Sequence, residues 1–202
     1  MLGSARYCNE WLEQNNKIIP RMIESNSSSK GKLKLVFMPS KPRCRIDVQR
    51  MHNTIDILAG FSEIEVVVKP HTRTGREKHV FSNMPLPNVS HVLTPELCEW
   101  ADVVLVIGSS VITEVLMRGK PALYLKYLHA NTTLFEELDA CWTIHDEDEL
   151  KKALLSLLAN KTGVPYGEEN TARFLAEIVY GGGSDRDVLS EYEQFIVSCT
   201  SN

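Results

Sequence analysis

"VIGSSVITEVLMRGKPALYL", from Val106 to Leu125, decides how this chain is read. It opens as an apolar strand and turns on Gly108-Ser109-Ser110. A helix with a glutamate at position 114 follows, ends at Gly119, and gives way to a second strand after Lys120-Pro121. A strand, a small-residue turn, a helix and a strand in that order form a βαβ unit. Such a unit requires a parallel sheet and a crossover helix.

The same alternation extends in both directions. Short apolar runs stand at "LKLVFMP" (33–39), "EIEVVVKP" (63–70), "VSHVLT" (89–94), "ADVVLVIG" (101–108), "PALYLKYL" (121–128) and "CWTIH" (141–145). Helical spacing separates them. Ile46, Met51, Ile55 and Leu58 form one apolar stripe, closed by Gly60, and Leu150, Ala153, Leu154, Leu157 and Leu158 form another. Thr94 reads as an N-cap before Pro95, Thr133 to Glu136 as a capping box, and Asp146 as the cap of the last-named helix. The expectation is an α/β fold: a doubly wound, mainly parallel, six-stranded Rossmann-like sheet in the order 3-2-1-4-5-6, flanked by N- and C-terminal helices. Three regions are expected. Residues 1–30 hold an N-terminal helix (about 4–24, with Pro20 kinking or ending it) and the polar joint "SNSSSKGK". Residues 31–160 form the sheet domain, and residues 161–202 two C-terminal helices around "GGGS".

Bulk properties narrow the function. The chain has 202 residues, 43% of them apolar and 24% charged, enough for a core without metal or disulfide staples. A net charge of -4 argues against a dedicated nucleic-acid binder, which needs a basic face. Five scattered cysteines, none in CxxC spacing, suit a reducing cytosol. No run is long enough to span a membrane and the first residues lack a signal-peptide core, so a cytoplasmic location is expected. The histidines form no HxxxH or HxH pair, so no metal site is expected. No GxSxG elbow, Walker A or GxGxxG is present.

In a doubly wound sheet, ligands bind beyond the carboxyl ends of the strands where the strand order reverses. With the expected order, that point lies between Pro39-Ser40-Lys41 and Gly108-Ser109-Ser110. Glycine admits close backbone approach, serines donate through N–H and hydroxyl, and a helix start favours negative charge, so the turn suits a phosphate or pyrophosphate. The same turn also serves as a plain helix cap through Ser109 or Ser110. Glu114 either complements the helix dipole or accepts from ribose hydroxyls. "VVVKPHTRTGR" (66–76) delivers Lys69, His71, Arg73 and Arg76 to the same edge, and Pro70 presents His71 rigidly. This cluster either stabilises a departing phosphate, with His71 as proton donor, or is a solvated basic loop. "YGGGSDRD" reads as a joint before the last helix rather than a phosphate cradle.

"ADVVLVIGSSVITEVLMRGKPALYL" resembles the nucleotide-binding segment of GT-B glycosyltransferases. "VVVKPHTR" resembles the "KPHP" segment of CDP-glycerol glycerophosphotransferase-like and surface-carbohydrate biosynthesis enzymes, and the UDP-GlcNAc 2-epimerases share this architecture. Many relatives carry an acid where Gly108 stands. The resemblance implies the donor half of a GT-B-type transferase for a surface glycan, binding a nucleotide-sugar or a nucleotide-polyol phosphate. Gly108, Ser109 and Ser110 would lie near the phosphates, with Ser40, Lys69, Arg73, Thr132 and Thr133 in the same cleft. His71 would serve the departing diphosphate and Glu114 the ribose. It also implies a nucleotide-diphosphate donor as partner, no cofactor beyond that donor, no bound metal, a missing N-terminal half or partner chain without which this chain is inactive, and peripheral membrane association of the intact enzyme. A sugar-nucleotide epimerase half and a non-catalytic nucleotide-binding or assembly module are the alternatives.

Overall fold

The computed structural model describes residues 2–19, 31–40, 46–71, 81, 83–183 and 186–200. Helix α1 (Asn9–Ile18) precedes strand β1 (Leu33–Met38), helix α2 (Val48–Ala59) and strand β2 (Ile64–Val68). Then follow α3 (Thr94–Trp100), β3 (Val103–Val106), α4 (Val111–Met117) and β4 (Ala122–Leu125). A 3-10 turn (Lys126–Leu128) leads to α5 (Leu134–Glu137), β5 (Trp142–Ile144), α6 (Glu147–Ala159), α7 (Glu168–Ile178) and α8 (Val188–Thr200).

Five strands form one parallel sheet in the order β2-β1-β3-β4-β5. That is the expected order without its outermost strand. The run 89–94 forms no strand; just before it, Asn88 makes an isolated parallel bridge to Val68. Pro85 and Pro87 precede it and cannot donate to a ladder. The chain then turns, with the Val92 N–H on the Val89 carbonyl at 3.0 Å. The Lys69 ammonium takes the carbonyls of Ser90 and Val92 at 3.3 and 2.6 Å, binding the edge through a side chain in place of a ladder.

Helices cover both faces, so the strands are apolar on both sides. Leu35 and Phe37 of β1, Leu105 of β3 and Leu123 of β4 face Met51, Ile55 and Leu58 of α2 and Leu154 and Leu157 of α6. The alternate residues Val36, Val104, Val106 and Tyr124 face Leu97 of α3, Ile112, Val115 and Leu116 of α4 and Phe174 of α7. The terminal helices meet in a third, small cluster of Tyr7, Cys8, Val179 and Val188, with Tyr192 donating to the Gly3 carbonyl at 3.0 Å. Among the described residues, no helix is long and apolar enough to cross a membrane.

Caps differ from expectation in two places. Thr94 is the first helical residue of α3 rather than its cap; Leu93 occupies the cap position without a side-chain bond. Thr133 is the cap residue of α5 but makes no capping bond; its buried hydroxyl has no hydrogen-bond partner among the described residues, and Glu136 pairs with Lys126 at 3.0 Å. Asp146 caps α6 as expected, accepting from the N–H groups of Asp148 and Glu149. Gly119 ends α4 at φ +63, where its N–H reaches Leu116 O and that of Lys120 reaches Val115 O, closing a Schellman motif.

The "AD" and "GKP" elements flanking the glycine-serine turn serve the sheet. The Asp102 carboxylate accepts from Lys34 N–H at 2.9 Å and from the Lys161 ammonium at 2.8 Å, and its own N–H bonds Lys34 O, which joins β1 to β3 at the amino edge. Lys120 donates to the carbonyls of Glu99 and Ala101 at 2.6 and 2.7 Å. Burial pushes the Asp102 carboxyl up, but Lys161 and the Lys34 N–H outweigh it and hold it below its ordinary value. A depressed carboxylate contributes stability above its unfolded pKa and loses it as pH falls through the folded one. The urea-midpoint gap between the wild type and Asp102→Asn should therefore shrink as pH falls below about 4. A gap that stays constant from pH ~7 to ~3 would sink this account.

Candidate functional site

The chain leaves β1 for β2 on one side of it and returns to β3 on the other, so the loops after β1 and β3 diverge at the carboxyl edge. This is the crevice geometry of doubly wound sheets. The Ser40 hydroxyl, after β1, donates to the carbonyl of Ile107, after β3, and so ties the two loops together.

Gly108 sits at φ +53, in the left-handed region. A Cβ there would lie 2.9 Å from His129 Nε2 and 3.1 Å from its Cε1. A side chain at position 108 would thus meet an imidazole. The Ser109 hydroxyl accepts from Val111 N–H at 3.4 Å, a weak local turn bond. Ser110 occupies the cap position of α4, but its hydroxyl makes no capping bond. The N–H groups of Gly108, Ser109 and Ser110 meet no acceptor among the described residues. Gly108 and Ser110 are exposed.

Two hydrogen bonds hold the His129 ring, and a third ties its two partners together. Nδ1 accepts from Asn131 N–H at 3.1 Å, Nε2 lies 3.0 Å from the Tyr124 hydroxyl, and that hydroxyl donates to Asn131 O at 3.1 Å. The network assigns the proton of the neutral ring to Nε2. Burial, then the Lys126 ammonium, lowers the imidazole's pKa. Thr132 is exposed on the same loop, and Thr133 lies behind it against Tyr124. Sequence reading missed His129, Tyr124 and Asn131. The available signal was position, since "LHAN" follows β4 at the same edge as Ser40 and Ser109.

The structure does not bring all the expected residues to this turn. Lys69 is buried, and its ammonium is committed to the two loop carbonyls; burial lowers its pKa. His71 is exposed just after β2. Arg73, Arg76 and Lys41 lie outside the described residues. Glu114 is buried on α4 and pairs with Arg118 at 3.1 Å; Arg118 also reaches Asn16 of α1 and Glu99 of α3. Among the described residues, no group of three or more His, Cys, Asp or Glu side chains could hold a metal. A groove of about 500 Å³ lies at the opposite edge, between Leu116, Pro121, Val164, Tyr166 and Leu175, and contains none of the turn residues.

No protein-family model matches the chain. No curated protein matches it in sequence. Solved structures do match in fold. The UDP-GlcNAc 2-epimerase of Methanocaldococcus jannaschii, solved with UDP-GlcNAc and UDP, superposes on 91% of this chain and 54% of its own, at TM-score 0.56 and 18% identity. The UDP-forming α,α-trehalose-phosphate synthase of Burkholderia vietnamiensis matches 100% of this chain and 52% of its own, at TM-score 0.55 and 13% identity. The wall teichoic acid polymerase TagF matches 95% and 47%, at TM-score 0.53 and 15% identity. The chain has the Rossmann-like half-domain fold of GT-B glycosyltransferases and UDP-GlcNAc 2-epimerases, and spans about half the length of these structures.

Proposed function

We propose that this chain is the donor-binding half of a GT-B-type transferase, holding the diphosphate of a nucleotide-sugar or nucleotide-polyol phosphate at the Gly108–Ser110 turn. The observation that carries this reading is the unused donor set of the turn. The Ser110 hydroxyl is not spent on the helix, and three successive N–H groups have no acceptor among the described residues. An anionic oxygen accepts such bonds with charge assistance. His71, just past the end of β2 and separated from β3 by β1, is the candidate proton donor to the leaving diphosphate. The Lys69 ammonium is bonded to the Ser90 and Val92 carbonyls. An epimerase half would need free acid/base carboxylates, whereas Glu114 and Glu136 are each paired with a cation.

The remaining half of such an enzyme, covalent or separate, is part of the proposal. Phe195, Ile196 and Val197, near the end of α8, are each more than half exposed, an apolar surface suited to docking.

Calorimetric titration with UDP, CDP, GDP and ADP tests the reading. One diphosphate should bind saturably, with Ser110→Ala weakening it about tenfold. His71→Ala should weaken it less, because that side chain serves the departing group. Binding to none of the four overturns a donor site in this chain.

A further inference from the structure

The turn that presents these donors is not free to choose its own shape. Position 108 carries no side chain, and the space where its Cβ would stand is taken by the His129 ring at 2.9 Å. That ring is immobilised. Asn131 N–H holds Nδ1, the Tyr124 hydroxyl holds Nε2, and Tyr124 is fully buried with its ring edge-on to Phe135 at 4.9 Å. Before Gly108, the Ile107 carbonyl is bound by the Ser40 hydroxyl. The backbone of the turn is thus seated between a fixed hydroxyl and a fixed imidazole, in a left-handed conformation at Gly108.

We propose that His129 is the positioning residue of the Gly108–Ser110 turn, occupying the volume of a residue-108 side chain and so setting where the turn aims its N–H and hydroxyl donors. This inference rests on the donor-site reading above. It makes residues 108 and 129 one steric unit: bulk is allowed at one or the other.

The test is a double-mutant cycle read as affinity for whichever of UDP, CDP, GDP and ADP binds the wild type most tightly. Gly108→Asn is the probe, because asparagine enters the left-handed region more readily than other residues with a side chain. Alone it meets the imidazole, and the affinity should fall about tenfold or more. His129→Ala alone should lose affinity about threefold to tenfold, as the turn loses its seat. The double variant should bind better than Gly108→Asn alone, the opposite of what independent damage produces. His129→Gln keeps an acceptor for Asn131 and a donor for Tyr124 and much of the volume, so it should retain the wild-type melting midpoint and more of the affinity than His129→Ala. In the unsubstituted chain, the His129 imidazole nitrogens should show the Nε2-protonated pattern by NMR and shift on saturation with the diphosphate.

Losses that multiply in the double variant, or His129 resonances that stay fixed while the diphosphate saturates, overturn the positioning role and leave the donor site standing. A wild type that binds no diphosphate overturns both.

Discussion

Replacing Tyr124 by alanine is expected to cost about 4 kcal/mol of unfolding free energy, a loss typical of a large buried aromatic. Tyr124 is fully buried on β4, an interior strand between β3 and β5. It belongs to the buried cluster that includes Val104, Val106 and Ile112, with its ring edge-on to Phe135. The hydroxyl carries a separate share. It donates to Asn131 O and meets His129 Nε2, and burial raises its pKa so that the phenol stays protonated. Tyr124→Phe keeps the ring and should cost about 1 kcal/mol, by removing the hydroxyl from the Asn131 carbonyl and His129 Nε2. Urea unfolding followed by circular dichroism separates the two. If the phenylalanine variant loses as much as the alanine variant, packing is not what holds this position.

Arg118→Met should cost about 3 kcal/mol, because it strands a buried carboxylate. The Arg118 and Glu114 side chains are only 5% and 7% exposed, and the pair is 3.1 Å apart. The same guanidinium reaches Asn16 at 2.9 Å, so it also links α4 to α1. Replacing both charges, Arg118→Met with Glu114→Gln, should recover part of the loss, since no unpaired charge then remains inside. Strictly additive losses in this cycle would show that the pair does not interact. Removal of the exposed partner alone, Glu99→Gln, should change little, because a surface contact of this kind is worth at most about 1 kcal/mol.

The crossover pattern was legible in the residue order because both of its causes are local. Strands covered by helices on each face must be apolar at every position, as in "VVLV" and "ALYL", and helices between them must show one apolar stripe. The Gly108–Ser110 turn was legible for the same reason: its residue types and its place after a strand are written side by side. The lost outer strand was not. "VSHVL" is as apolar as several real strands, and its fate was settled by the Lys69 ammonium taking the Ser90 and Val92 carbonyls across the fold. The bonds of Lys69 were not legible for a related reason: its position at a strand end says nothing about which oxygens its flexible side chain will find. Glu114 was read with two roles, helix dipole or ribose, and the fold adds a partner, Arg118, at the far end of the same short helix.

His129 was invisible in the sequence because its contact with Gly108 crosses two strands that neighbour each other only in the sheet. Fold class follows from periodicity, which is a property of neighbours along the chain. Which polar groups face the crevice and which are consumed inside the fold follows in large part from contacts between residues far apart in sequence, such as Lys69 with Val92 and Gly108 with His129. Those contacts exist only once the sheet has formed.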